Sequence, residues 1–191
     1  MKVPLRFQIT LYDCATTSLI NALSYLFERE EIPITLLKTI YKYTLDAKGK
    51  NGVVGEAGTS RKAIKKLLQW IKKYSPNYDF NIKCQLLEKE DVNMNKIRQC
   101  FDNNGCVLAR CYQQTEHYVL ITKIDDKFAY IFDPYYLGDD YHNNDQQVEF
   151  VSNQDFYNRI VEIKRLFSES YEDFSLMEIE KREVVLINKI M

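Results

Sequence analysis

Three residues of this chain have the types and the order that thiol-based acyl transfer requires. Cys14 stands at the start of an apolar helical pattern, His117 begins a β-rich segment, and Asp133 ends the following strand-like run. In such chemistry the thiolate attacks a carbonyl carbon, the imidazole moves the proton, and the carboxylate holds the imidazole in place. The three residues lie far apart in the sequence, so the surrounding elements must bring them together in the fold.

The residues after Cys14 predict a helix that would make this thiol reactive. Leu19, Leu23 and Phe27 recur at helical spacing within residues 14–29. At the start of a helix, the positive end of the helix dipole favours a thiolate over a thiol. The competing interpretation is a cysteine that packs in the core, because cysteine is often buried.

A predicted hairpin would bring His117 and Asp133 side by side. The two predicted strands are joined at residues 125–126, so His117 and Asp133 lie at about the same distance from the tip and would face each other in an antiparallel pair. Asp133 could then accept the imidazole N–H and select its tautomer. Taken singly, each residue also has a structural interpretation. His117 could be a strand residue that packs in the fold, and Asp133 could be a turn residue before Pro134.

Gln8 is a candidate for a fourth role at such a site. It stands in the segment that leads into Cys14. Its side-chain amide could donate a hydrogen bond to the oxyanion of a tetrahedral intermediate, together with the backbone N–H of Cys14 at the helix start. Taken alone, a glutamine at this position is more typical of a protein surface.

The remaining patterns predict an α+β fold, with helices first and an antiparallel sheet after them. The predicted helices cover residues 14–29, 34–45 with Thr35 as a cap, a segment that Thr59-Ser60 caps, 90–103, and a stretch from Ser152. The predicted strands cover residues 80–87, 106–112, 117–124, 127–133, 148–151 and 183–187. The glycine-rich segment 49–58 is predicted to be a loop, and Ser75-Pro76-Asn77 to end the third helix.

The composition limits the classes of function. The chain has 191 residues, which we predict to form a single domain over 1–191 with a helix and strand extension over 152–191. A net charge of −1 argues against a nucleic-acid-binding face. No apolar run is long enough to span a membrane and no signal-peptide pattern is present, so we expect a cytoplasmic protein without membrane insertion.

The four later cysteines are predicted to be packing residues. An odd cysteine count without a signal peptide argues against a disulfide framework, and the absence of a CxxC pair argues against a zinc site. Cys106 and Cys111 fall in one predicted strand and point to opposite faces, so they cannot easily share a metal ion. We therefore predict neither a metal nor any other cofactor.

Taken together, these residues resemble the C39-like cysteine peptidases, a papain-like family. The matching motifs are Gln8, Asp13-Cys14, His117-Tyr118, Asp133-Pro134 and Gly58-Thr59-Ser60 before a helix. The resemblance covers residues 4 to 151 and implies a papain-like fold with helices packed on an antiparallel sheet. It also implies that Cys14 is the nucleophile, His117 the general base and acid, Asp133 its orienting partner and Gln8 an oxyanion donor.

The resemblance implies a peptide or protein substrate as the partner. The best-known members of the family cleave leader peptides after a Gly-Gly pair and are fused to ABC exporters. This chain has no membrane segment and no P-loop, so it resembles a stand-alone relative. Ala15 replaces the glycine that usually follows the cysteine in this family. The extra methyl group is expected to change the shape of the pocket. The loop at 49–58 and the tail from 152 are not explained by the match, so double-glycine specificity is not assumed.

Three functions remain open at this point. The first is a cysteine peptidase that hydrolyses a peptide or isopeptide bond, such as one in a leader peptide, through a Cys14 acyl-enzyme. The second is a thiol-dependent acyltransferase, in which an amine takes the acyl group in place of water. The third is a non-catalytic peptide-binding module with the same fold. No feature of the sequence indicates an oligomeric state.

Overall fold

Three α-helices precede a seven-stranded antiparallel sheet, and two further α-helices lie between its strands along the described chain. The computed structural model describes residues 1–74, 80–138, 144–152 and 155–190. The α-helices in these ranges are α1 (Cys14–Leu26), α2 (Ile34–Tyr43), α3 (Arg61–Tyr74), α4 (Met94–Asp102) and the short α5 (Ile163–Leu166). The strands are β1 (Ile82–Glu88), β2 (Gly105–Gln113), β3 (Thr115–Ile124), β4 (Phe128–Phe132), β5 (Val148–Phe150), β6 (Arg159–Glu162) and β7 (Glu183–Lys189). The predicted α+β class is confirmed.

The last strand of the chain lies inside the sheet. The strand order is β1-β7-β2-β3-β4-β6-β5, and every neighbouring pair is antiparallel. β7 pairs with β1 along its whole length and with β2 on its other side. The predicted strand over 183–187 is therefore confirmed, and it joins the edge strand β1 to β2.

Helix α1 packs against one face of the sheet. Its residues Leu19 and Leu23 contact a core that includes Leu108 and Leu120, and all four are nearly or fully buried. Burying an aliphatic side chain of this size stabilises a fold by about 1.5–3 kcal/mol. A polar contact adds to this packing, because the Ser18 hydroxyl donates to a backbone carbonyl of β3 at 3.1 Å. The start of α1 is thus held against β3.

A second core covers the opposite face of the sheet. Val119 and Ile131 point to this face, where Ile97 of α4 and Phe174 of the C-terminal segment cover them. Successive residues of a strand point to opposite faces, so both sets of side chains on the central strands are buried. This is why the apolar run that starts after His117 is continuous rather than alternating.

The predicted helix from Ser152 is wrong. Residues Arg159–Glu162 form β6, which pairs with β4 on one side and β5 on the other, and among the described residues of this stretch only Ile163–Leu166 is α-helical. The apolar spacing of this stretch is compatible with both structures, and pairing between two strands outweighs local helical preference. The extension over 152–191 therefore contributes two strands to the sheet.

Two predicted helix caps have different outcomes. α2 begins at Ile34, directly after Pro33, so Thr35 lies inside the helix and is not its cap. Ser60 does cap α3, because its hydroxyl oxygen accepts from the Ala63 N–H at 3.1 Å. The predicted end of α3 at 75–77 lies outside the described residues.

The helices are short compared with the thickness of a bilayer. The longest of those described, α3, has 14 residues. Within the ranges given above, no helix is both long and apolar enough to cross a membrane.

Candidate active site

Asp13 organises the loop that leads into α1. Its carboxylate accepts hydrogen bonds from the backbone N–H groups of Ile9 and Thr10, at 3.1 and 2.7 Å, and from the Thr17 hydroxyl at 3.2 Å. The same side chain makes no capping bond to the backbone of the helix. Asp13 therefore holds the preceding loop against α1 and leaves the backbone N–H groups around Cys14 uncapped.

Cys14 is the first residue of α1 and is buried. Burial by itself would raise the pKa of its thiol, but a hydrogen bond with His117 and the positive charge of that ring lower it below the ordinary value. Hydrogen bonds from the backbone N–H groups of Tyr118 and Ala15 act in the same direction. The Cys14 thiolate is thus stabilised by three neighbouring donors.

The other cysteines differ from Cys14. All five lie within the described ranges and are free thiols. Burial raises the pKa of Cys84 to about 12 and that of Cys100 to about 11, and it raises those of Cys106 and Cys111 well above the ordinary value. These four remain neutral at physiological pH, as expected for packing residues.

His117 lies between Cys14 and Asp133. Its Nε2 is 2.7 Å from Oδ1 of Asp133, which leaves Nδ1 as the ring nitrogen available to the Cys14 sulfur. Burial alone would lower the pKa of His117, but the charge and hydrogen bond of Asp133, followed by those of Cys14, raise it to about 10. A lowered pKa at the thiol and a raised pKa at the ring favour a thiolate and an imidazolium at neutral pH.

The hairpin brings His117 and Asp133 together, but the predicted register is wrong. The ladder between β3 and β4 pairs Leu120 with Phe132, and it shifts register by a bulge at Thr122. Continuing the ladder by one residue sets Asp133 opposite Val119, which is two positions along β3 from His117. The two side chains therefore meet diagonally on one face of the sheet, at a separation that long side chains can bridge.

Three residues that sequence reasoning missed surround Asp133. Gln113 Nε2 donates to Oδ2 at 3.0 Å, Arg159 lies 3.4 Å from the same oxygen, and Asn158 binds the Asp133 backbone. Burial would raise the pKa of Asp133, but the charge and hydrogen bond of His117 and then the charge of Arg159 lower it. No local pattern marks residues 158 and 159, because they reach Asp133 only through the pairing of β4 with β6.

Gln8 is held in the loop before α1. Its backbone N–H donates to the Pro134 carbonyl at 2.8 Å, which ties this loop to the chain just beyond Asp133. Its side-chain Nε2 donates to the Thr10 carbonyl at 2.7 Å. A primary amide carries two N–H donors, so this bond uses one of them. The predicted role of Gln8 as an oxyanion donor stays a prediction.

Cys14 and His117 line a cleft of about 660 Å³. One wall is the glycine loop, which contributes residues 48–50 and 56–58, and the other is the turn between β2 and β3. Gly58 has a φ of +71°, and a Cβ there would lie 3.2 Å from a backbone carbonyl oxygen of the loop before α1. The glycine at this position allows the wall to approach the start of α1 closely. The volume is within the range of sites that bind small ligands or short peptide segments.

Comparison with known families assigns the chain to one of them. The family described as "Peptidase_C39 like family" has a model that matches residues 1–164 of the 191-residue chain. The chain belongs to the Peptidase_C39 like family. The predicted family is confirmed, and this C39-like chain is a member of a cysteine peptidase family. The match includes Cys14, His117, Asp133 and Arg159, and it ends before β7.

Among the solved structures similar to the C39-like chain is one that aligns with it over nearly its full length. It is the crystal structure of a double glycine motif protease from an AMS/PCAT transporter in complex with the leader peptide. The two chains share 15% sequence identity with a TM-score of 0.44, and the alignment covers 99% of this chain and 93% of the other. Among curated proteins, none matches the sequence significantly.

Proposed function

We propose that the C39-like chain is a peptidase that cleaves a peptide or isopeptide bond through an acyl-enzyme on Cys14. The observation that carries this proposal is the continuous chain of contacts from thiol to carboxylate. His117 lowers the pKa of the Cys14 thiol, and its Nε2 lies 2.7 Å from Oδ1 of Asp133. The thiol and the imidazole both line the cleft, while Asp133 is fully buried behind them.

Acylation begins when the Cys14 thiolate attacks the carbonyl carbon of the scissile bond. A C–S bond forms and the carbonyl oxygen becomes an oxyanion. We assign two donors to this oxyanion, the backbone N–H of Cys14 and the second amide N–H of Gln8. The His117 imidazolium then gives its proton to the departing amine as the C–N bond breaks, which leaves a thioester and a neutral imidazole.

Deacylation reverses the roles of the imidazole and the thiol. Neutral His117 takes a proton from a water molecule while the water oxygen attacks the thioester carbonyl. The C–S bond breaks, the Cys14 thiolate leaves, and the carboxylic acid product departs with the imidazolium restored. Asp133 remains ionised throughout, holding the ring in one tautomer and stabilising its positive charge.

The substrate that we propose is a segment of a peptide or protein. The cleft is lined in part by the glycine loop and by the turn between β2 and β3, and its volume is large enough for a few residues. Within the family, a leader peptide is the first candidate to test. The glycine loop over 49–58 forms one wall, so its shape would contribute to which residues are accepted next to the scissile bond.

The first experiment measures the reactivity of Cys14 without any substrate. The alkylation rate of each cysteine is followed against pH by peptide mass spectrometry, with the four other cysteines as internal controls. We expect Cys14 to be labelled rapidly well below about pH 8.5, the reference thiol pKa, and more slowly in a His117→Ala variant. Slow labelling of Cys14 with an ordinary thiol profile would exclude the proposed activation.

The second experiment measures cleavage of candidate peptides by the wild type and a Cys14→Ser variant. We expect product from the wild type alone, and equal cleavage by Cys14→Ser would contradict the acyl-enzyme. An added amine acceptor separates hydrolysis from acyl transfer, because a transferase yields the amide product. A peptide that binds tightly to an activated wild type but is never cleaved would favour a binding module instead.

A further inference from the structure

Arg159 is buried beside the carboxylate that holds the imidazole. Its Nη2 lies 3.4 Å from both Asp133 Oδ2 and the Tyr135 carbonyl oxygen, and its Nη1 donates to the Asn158 carbonyl at 2.8 Å. The carbon atom at the centre of the guanidinium is 4.0 Å from the centroid of the Phe150 ring. Three oxygens hold the edge of the guanidinium and an aromatic ring covers its face, which is a geometry that suits arginine and not lysine.

The Asp133 carboxylate is held at both oxygens. Oδ1 accepts from His117 and from the Tyr135 N–H, at 2.7 and 2.9 Å. Oδ2 faces Gln113 at 3.0 Å and Arg159 at 3.4 Å. Rotation of the carboxylate would break contacts at both atoms together. The orientation of Oδ1 toward the imidazole therefore depends on the residues that contact Oδ2, which are Gln113 and Arg159.

We propose that Arg159 is a positioning residue, which holds the Asp133 carboxylate with Oδ1 aimed at His117 and so sustains the reactive state of Cys14. This inference rests on the proposed function, because it concerns the same thiol. Arg159 acts through Asp133 and reaches neither the sulfur nor the scissile bond. Its side chain comes from β6, the strand that replaces the predicted helix.

The charges around Asp133 set the direction of the expected effect. His117 on β3 and Arg159 on β6 lower its pKa, and Gln113 on β2 adds a neutral donor. Cys111, also on β2, stays neutral because burial and the charge of Asp133 raise its pKa. Without the guanidinium, Asp133 takes up a proton at a higher pH. His117 then loses its partner, so the thiolate and imidazolium pair is also lost at a higher pH.

The test compares Arg159→Met and Arg159→Lys with a matched control, Arg182→Met. Arg182 is also buried and donates to backbone carbonyls, those of Met177 and Phe167, but it lies outside the Asp133 contacts described here. The readout is the alkylation rate of Cys14 between about pH 5 and pH 9, on either side of the proposed transition.

We expect Arg159→Met to move the acid limb of this profile up by about one pH unit, which is about a tenfold slower reaction on that limb. Arg159→Lys keeps the charge but cannot reproduce the planar contacts, so we expect a loss of about threefold. The Arg182→Met profile should coincide with that of the wild type. Once a cleaved peptide is known, Arg159→Met should lower kcat at a nearly unchanged KM.

A folded Arg159→Met variant with the wild-type profile would overturn this proposal. If Arg159→Met does not fold, the same comparison is made between Arg159→Lys and Arg182→Lys. Identical pH profiles of Cys14 alkylation in these two variants would also overturn the proposal. The outcome also separates the two proposals. Slow labelling of wild-type Cys14 refutes the proposed function and this inference with it, whereas rapid labelling that is indifferent to Arg159 refutes the inference alone.

Discussion

Asn158 holds the backbone of Asp133 through a reciprocal pair of hydrogen bonds. Its side-chain Oδ1 accepts from the Asp133 N–H and its Nδ2 donates to the Asp133 carbonyl, both at 2.8 Å. The backbone N–H of Asn158 donates in turn to the Ile131 carbonyl at 2.9 Å. The main chain of Asp133 is therefore fixed by one residue, while His117 binds its side chain.

Replacing Asn158 should reduce both stability and thiol reactivity. Asn158→Ala leaves a buried N–H and a buried carbonyl of Asp133 without their partner, so we expect the free energy of unfolding to fall by about 1–3 kcal/mol. Alkylation of Cys14 at neutral pH should also slow, because the carboxylate is less well placed. Denaturant unfolding and cysteine labelling measure the two effects.

Asn188→Ala is the matched control for that variant. The Asn188 amide also bridges backbone groups, donating to the Cys100 and Asn103 carbonyls at 2.9 and 3.1 Å, but at the other side of the sheet. The Asn188→Ala variant should have a lower free energy of unfolding, and the alkylation rate of its Cys14 should not change. Equal labelling rates in the two variants would show that Asn158 contributes only to folding.

Asp133→Asn should weaken the pair formed by Cys14 and His117. A neutral amide cannot stabilise the imidazolium, so the pKa of His117 should fall and Cys14 labelling at neutral pH should slow. Because proton transfer through the ring is impaired, kcat on a cleaved peptide should drop by roughly a hundredfold or more. Asp126→Asn is the control, since Asp126 is an exposed hairpin residue paired with Arg98. Similar kcat values for both variants would argue against the role of Asp133.

The raised pKa of His117 makes stability depend on pH. The ring has a pKa of about 10 in the folded protein against an ordinary 6.5, so the folded state holds a proton that the unfolded state releases. The resulting stabilisation is complete below about pH 6.5 and is lost as the pH rises through the folded value. A histidine with a lowered pKa would show the opposite dependence.

A Cys14→Ala background isolates this effect, because the thiol titrates with the opposite sign. The free energy of unfolding of Cys14→Ala is compared with that of Cys14→Ala combined with His117→Gln, at about pH 6 and about pH 9. We expect a larger difference at the lower pH. Removing the thiol also removes two interactions that raise the pKa of His117, so the upper end of the transition should lie below that of the wild type. A difference independent of pH would refute the raised pKa.

Gln8→Ala should affect turnover and leave the thiolate intact. An oxyanion donor acts only once the tetrahedral intermediate forms, and its loss costs roughly 10²–10³ in kcat. The Cys14 labelling profile should stay close to that of the wild type. Gln85→Ala, on the exposed side of the edge strand β1, serves as the control. An unchanged kcat in Gln8→Ala would assign Gln8 only to the fold of its loop.

Several elements were predictable because their signals are local. The apolar spacing after Cys14 predicts α1, and the runs on either side of the Asp125 turn predict β3 and β4. The contact between His117 and Asp133 follows from the hairpin alone. The register did not follow, because Ile124 pairs with Ala129, which centres the turn beyond residues 125–126. The bulge at Thr122, which has no marker in the sequence, then shifts the later pairs back by one residue.

The amino-acid sequence by itself determined the residue types, their order and the elements that carry Cys14, His117 and Asp133, because helical and strand periodicity depend on neighbours along the chain. Only the tertiary structure decided that Asn158 and Arg159 surround Asp133 and that β7 lies inside the sheet. Those contacts join strands distant in sequence, and strand pairing can override local preference. The direction of each pKa shift was also decided there, since burial and nearby charges are properties of the folded chain.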